Sequence, residues 1–152
     1  MGENRSEYMR KRNMKLFPFY KRWGWDYLFF YTINFLFLIQ VKNISPVDVV
    51  LIDSFYFLFT TIMQIPATFI IEFLGRKNAI VFANILSCIY MVVIIFSKSL
   101  FDLIVAELIS SLAFAIKESA EPSLLNESIP TTKNKSEIFA KINEKEWLDI
   151  ML

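Results

Sequence analysis

Residues 79–96 read AIVFANILSCIYMVVIIF, a stretch without a single charge. Its only polar side chains are Asn84, Ser87, Cys88 and Tyr90. A helix on the surface of a soluble bundle keeps a polar face and confines its apolar residues to a stripe near i, i+3, i+4 and i+7. This segment has no such face. Roughly 17–25 apolar residues in helical rise cross a bilayer core about 30 Å thick, so length and polarity together predict a membrane-spanning helix. Strands of an outer-membrane barrel alternate apolar and polar over about ten residues, and this stretch does not alternate.

Three more blocks of the same kind flank it. They are residues 25–41 (WDYLFFYTINFLFLIQV), residues 49–74, interrupted by Pro66, and residues 100–116, followed by a more polar turn, KESAEPS. Of the 152 residues 55% are apolar, and Phe alone occurs 16 times; soluble domains hold about 45–50%. The charges gather before Asp26, around 75–77, and after Lys117. The predicted fold class is therefore all-α: a polytopic helical membrane protein with four transmembrane helices. Residues 1–24 form a basic N-terminal segment, 25–120 the transmembrane region, and 121–152 a cytoplasmic loop or amphipathic tail. In that tail Ile138, Phe139 and Ile142 alternate with Glu137, Lys141, Glu144 and Lys145. The spacing fits a helix lying on the membrane surface, and it equally fits a polar tail.

Composition excludes several classes. Cys88 is the only cysteine and histidine is absent, which removes an internal disulfide, a Cys/His zinc site and a His-based triad. No metal and no cofactor is expected. A net charge of +1 offers no general field for nucleic acid. A membrane enzyme lacks any recognisable nucleophile or metal cluster here.

Orientation follows from the basic residues. The N-terminal segment holds Arg5, Arg10, Lys11, Arg12, Lys15, Lys21 and Arg22, the connection between the second and third spans holds Arg76 and Lys77, and the tail holds Lys133, Lys135, Lys141 and Lys145. The other two connections hold one each, Lys42 and Lys98. Both termini are thus expected in the cytoplasm, with the chain multi-pass in the plasma membrane. Trp23, Trp25, Tyr27 and Tyr31 sit where an interfacial aromatic belt forms. The first span reads as a retained anchor rather than a cleaved signal, because VKNISP follows it and no small-x-small site does. Ser45-Pro46 is a plausible helix start; residues 75–78 and 97–99 are tight turns.

The stretch QIPATFIIEFLGRK (residues 64–77) is the strongest local feature. Pro66 removes a backbone donor inside the second span and marks a kink; membrane helices tolerate this when neighbours re-satisfy the backbone. Glu72, one turn from the helix end, is poorly placed for its own helix dipole and wants a cationic partner or another helix N-terminus. The plainer reading is an interfacial Glu beside an ordinary positive-inside pair. The segment resembles the cytoplasmic signature between the second and third helices of the major facilitator superfamily of secondary transporters, approximately G-x-L-A-D-R-x-G-R-K/R. Gly75, Arg76 and Lys77 match its last three positions and Glu72 its acidic one; Thr68 and Phe73 depart from it. LIDSFYFLF (residues 51–59) is similar to the start of the second helix in bacterial members. AIKESAEPSLLNESI (residues 115–129) loosely resembles the exit of the fourth, with Lys117-Glu118 in place of a Ser-Gly pair and Asn126-Glu127 in place of an aromatic-Asp pair.

The resemblance covers nearly the whole chain but only about a third of a fold built from two six-helix halves. It implies an N-terminal fragment of a transporter that moves a small solute by alternating access. Its partners would be the bilayer, an unidentified small-molecule substrate with possible proton coupling, and the missing transporter half or another membrane subunit. The alternative is a non-transporting four-span protein that binds a partner subunit.

Polar residues inside the spans are functional candidates, since burying charge in lipid is costly. Glu107 lies midway along the fourth span with Ser110 and Ser111 one turn later, Asp53 one turn into the second, Asn34 centrally in the first, and Gln64 beside Pro66. Family geometry implies that the first, second and fourth helices contribute to the central cavity, which makes Glu107, Asp53 and Asn34 candidates for substrate or proton contact. For Asn34 and Gln64 a helix–helix hydrogen bond worth about 0.6–1 kcal/mol is the plainer role; Asp53 also fits a position near the outer surface. Cys88 reads as packing.

Overall fold

The computed structural model describes residues 27–129, together with 8–10, 12–14, 16, 17, 20 and 139. Among the described residues all regular structure is α-helical. From residue 27 to residue 129 four helices follow one another: α1 (Tyr27–Gln40), α2 (Pro46–Leu74), α3 (Arg76–Phe96) and α4 (Leu100–Ser128).

Local chemistry sets their ends. The Ser45 hydroxyl accepts from the Asp48 N–H at 3.2 Å and donates to the Asp48 carboxylate at 2.8 Å. Pro46 follows at the first helical position, where a missing N–H costs nothing. The expected start at Ser45-Pro46 is borne out, and α2 begins three residues before the apolar block does. Ser99 and Asp102 repeat the device before α4. The Ser99 hydroxyl accepts from the Asp102 N–H at 3.2 Å, and Asp102 Oδ2 accepts from the Lys98 and Ser99 N–H groups, each at 2.9 Å. A serine N-cap thus opens α2, and a reciprocal capping box opens α4.

The turn expected over 75–78 contracts to one residue. Gly75 has φ 77° and ψ 149°, a region reserved for glycine, and Arg76, Lys77 and Asn78 already belong to α3. A Cβ at Gly75 would meet nothing within 4 Å, so the demand is conformational rather than steric. Asn78 Nδ2 donates to the Leu74 carbonyl at 3.1 Å and closes the end of α2.

KESAEPS is helix, not turn: α4 runs unbroken through Pro122 to Ser128. The reason is burial. Ile116 and Ala120 are buried one turn apart, and further on Leu125 and Ile129 are buried four apart. At 100° per residue the two pairs fall on opposite faces of the helix, so buried apolar residues bracket the charges on both sides.

The chain divides into two compact units, residues 31–121 and residues 1–30 with 122–152. In the first, the core is a junction of small residues: Ala67 on α2, Ala79 and Ala83 on α3, and Ala115 with Ile116 on α4, all fully buried. Small side chains let helix backbones approach closely, which is how helices associate where lipid is as apolar as the interface. Tyr56 meets Phe114 edge-on at 6.2 Å across α2 and α4. In the second unit Phe17 is buried with Leu125 and Ile129, and Met14 and Phe139 pack against them. Of the tail from Ser136 onward only Phe139 is among the described residues, so the surface-helix reading lies outside them.

The outward faces are apolar. Phe57, Ile65, Phe69 and Phe73 on α2 and Val92, Ile95 and Phe96 on α3 are exposed. Only 6% of the most apolar stretch of α2 is buried inside the protein. Such a surface suits lipid and not water. Hydroxyls on α2 turn back onto their own helix: Ser54, Thr60, Thr61 and Thr68 each donate to the carbonyl four residues earlier, at 2.8–3.1 Å. Among the described residues two helices, α2 and α3, are long and apolar enough to cross a membrane. α1 counts 14 residues, and the 29 residues of α4 include Asp102, Glu107, Lys117, Glu118, Glu121 and Glu127.

Candidate functional site

The two capping serines supply a common zero level for depth. Asp53 lies eight residues after Ser45, and Glu107 eight after Ser99. At 1.5 Å per residue both carboxyls project from their helices about 12 Å below the caps. Tyr90 lies seven residues before Ser97, where α3 has ended, and Asn34 six before the end of α1. Four polar side chains on four helices therefore occupy one level.

Two of the four touch. The Tyr90 hydroxyl donates to Glu107 Oε1 at 3.1 Å, and both residues are buried. Asp53 is exposed on α2 but within electrostatic reach of Glu107. Asn34 is half-buried on α1. A hydrogen bond that involves a charged group is worth about 1.5–3 kcal/mol and a neutral one about half that. The Tyr90–Glu107 contact is therefore sensitive to whether the carboxyl carries a proton. Tyr90 stood in the charge-free stretch as one polar residue among four; its partnership needs the pairing of α3 with α4, and nothing local announces it.

The remaining predicted residues lie elsewhere. Gln64 is exposed further along α2, its Nε2 3.5 Å from Glu118 Oε2 on α4. Pro66 is half-buried and α2 continues through it. Glu72 and Lys77 are exposed and Arg76 half-buried around the Gly75 junction. Ser111 is fully buried, its hydroxyl bonded to the Leu108 carbonyl at 2.8 Å, and Ser110 is half-buried. Cys88 corrects its reading: it is exposed on α3, not packed.

Sequence reasoning missed a second polar group. Lys117 and Glu121, one turn apart on α4, are 5% and 1% exposed. Their i, i+4 spacing was a usable sign of a mutually compensated pair. It also missed a clamp at the capped end. Lys42, between α1 and α2, donates from Nζ to the carbonyls of Ile95 and Ser97, each at 2.7 Å. A cation there satisfies the open carbonyls at the end of α3 and opposes its dipole. The clamp borders a cleft of about 320 Å³ that reaches from Asn43 and Asp48 to Lys98 and Leu103. Among the described residues no cluster of His, Cys, Asp and Glu could hold a metal ion.

No curated protein and no solved structure matches this chain. A family model described as "Sugar (and other) transporter" does match it, over residues 7–138. That range takes in all four helices and both acidic members of the polar level. The chain is therefore a membrane transport protein that belongs to the sugar (and other) transporter family, within the major facilitator superfamily.

Proposed function

We propose that the four helices serve as the first four spans of a secondary transporter that moves a small solute of the sugar class by alternating access, coupled to protons at Glu107. The observation that carries this reading is the buried Tyr90–Glu107 hydrogen bond at 3.1 Å, a protonation-sensitive contact between two helices of a transport family. Asp53 and Asn34, at the same depth, complete the polar level for a hydroxyl-rich or charged ligand, and Pro66 gives α2 a loosened backbone beside Gln64. Glu72, Gly75, Arg76 and Lys77 form the cytoplasmic signature, with Glu72 directed to the other half of the transporter. Both termini are cytoplasmic in the plasma membrane, and α1 and α4 cross it with α2 and α3.

Transport is tested on the protein expressed from its whole reading frame and reconstituted into vesicles. Preloading with a panel of hexoses, pentoses and sugar alcohols should give saturable counterflow of at least one labelled sugar. Counterflow no higher than in protein-free vesicles for every sugar would overturn the substrate class. Topology is tested apart from transport, with single cysteines in a Cys88→Ser background. An impermeant thiol reagent on intact cells should label Asn43→Cys and spare Arg10→Cys and Lys133→Cys; labelling at position 10 would invert the orientation.

A further inference from the structure

Residues 8–10, 12–14, 16 and 17 are helical. Their inner side is occupied: Phe17 is 8% exposed, buried with Leu125 and Ile129, and Met14 packs against the same group. At 100° per residue Tyr8, Arg12 and Leu16 fall together on the opposite face. That face is open, with Tyr8 64% and Leu16 50% exposed and Arg12 exposed between them. The surrounding sequence is strongly one-signed. Between Met1 and Gly24 there are seven basic side chains, from Arg5 to Arg22, against Glu3 and Glu7 alone. The rest of the chain balances this excess, since the whole carries only +1.

We propose that this face is a docking surface for anionic lipid headgroups, with Tyr8 and Leu16 entering the boundary between headgroups and acyl chains, Arg12 pairing with a phosphate, and the other basic side chains of the segment adding to the attraction. The inference rests on the membrane placement proposed above. Three observations favour lipid as the occupant. The face combines an aromatic, an aliphatic and a cationic side chain, the composition of interfacial helices. The basic cluster directly precedes the first apolar block, where polybasic segments meet the charged leaflet. And Phe17 and Met14 already hold the inner side of these described residues, so the outer face is presented without further ordering. The consequence is a protein whose N-terminal segment responds to the anionic lipid content of its membrane.

The test uses the whole protein with Leu16→Cys in a Cys88→Ser background, labelled with an environment-sensitive fluorophore. The vesicles are either pure phosphatidylcholine or contain about 30% phosphatidylserine in both leaflets. The expected result is blue-shifted emission, quenched by brominated lipid, in the anionic vesicles alone. About 1 M salt, which shortens the screening length to about 3 Å, should reverse it. Each basic side chain near an anionic surface adds about fivefold to binding. Neutralising Arg10, Lys11, Arg12 and Lys15 to Gln should therefore weaken the response by about 600-fold, while Arg10→Lys with Arg12→Lys retains it. Equal emission in the two lipid mixtures, or a response indifferent to neutralisation, would overturn the proposal. Because both leaflets carry the anionic lipid, an inverted topology leaves this response intact and shows up only in the thiol labelling at position 10.

Discussion

Glu107→Gln lowers pH-driven uptake by at least roughly tenfold and leaves the protein folded. The substitution keeps the shape of the side chain and an oxygen to accept from the Tyr90 hydroxyl, which now lies 3.1 Å from Glu107 Oε1. What it removes is the ability to switch between charged and neutral forms. The difference between a charge-assisted and a neutral hydrogen bond is about 1 kcal/mol or more, and an unprotonated carboxylate in an apolar surround adds to the cost of the charged state. A coupled transporter uses that difference in each cycle. Accumulation driven by a pH gradient should collapse, while exchange of substrate across the membrane without a gradient persists. Tyr90→Phe should weaken accumulation in the same assay by removing the donor. The measurement is uptake in reconstituted vesicles over a range of external pH. A Glu107→Gln protein with unchanged pH dependence removes Glu107 from coupling, whatever happens to the rate.

The second large effect concerns the small-residue junction. Ala67, Ala79, Ala83 and Ala115 have no exposed surface, and they bring α2, α3 and α4 together. Ala83→Leu places three more carbon atoms where no space is left. Overpacking a tight core costs about 1–3 kcal/mol, and here the strain falls on helix backbones rather than on flexible side chains. The expected result in detergent is a drop in the thermal unfolding midpoint of roughly 3–10 °C. Val81→Leu, two residues away on the exposed face of the same helix, should change the midpoint by about a degree or less. If the two variants unfold alike, the alanine junction is not what holds the helices together.

Much of this architecture is legible in one dimension, for physical reasons that stay local. The charge-free run before Ser97 needs no tertiary information to be read as a buried or lipid-facing helix. Ser45-Pro46 marks the start of α2 because the cap and the ring act on residues within one turn. Gly75 punctuates α2 and α3 because a backbone with φ 77° excludes other residues. The length of α4 is not legible in this way. Lys117, Glu118, Glu121 and Pro122 look like a turn, and only the burial of Ile116, Ala120, Leu125 and Ile129 against other segments keeps the helix going. The candidate site divides likewise. Glu107 and Asp53 are conspicuous as lone carboxyls in apolar surroundings, whereas Tyr90 acquires meaning only when α3 is laid against α4. Lys42 looked like a stray loop charge, and its two carbonyl partners lie more than fifty positions away in the chain.

The Lys42 bridge has a mechanical consequence. Its ammonium holds the connection between α1 and α2 to the last carbonyls of α3, and α2 and α3 are joined at their other ends through Gly75 alone. α2 and α3 are thus fastened at both extremities, by a non-covalent strut on one side and a one-residue covalent link on the other, and α1 at the strut alone. At the start of α4, Ser99 and Asp102 bond within the helix's own first turn, and the Lys42 ammonium also acts electrostatically on Asp102. α3 and α4 are joined covalently at this same capped end through residues 97–99, so a motion that strains the Tyr90–Glu107 contact pivots about the capped end rather than opening there.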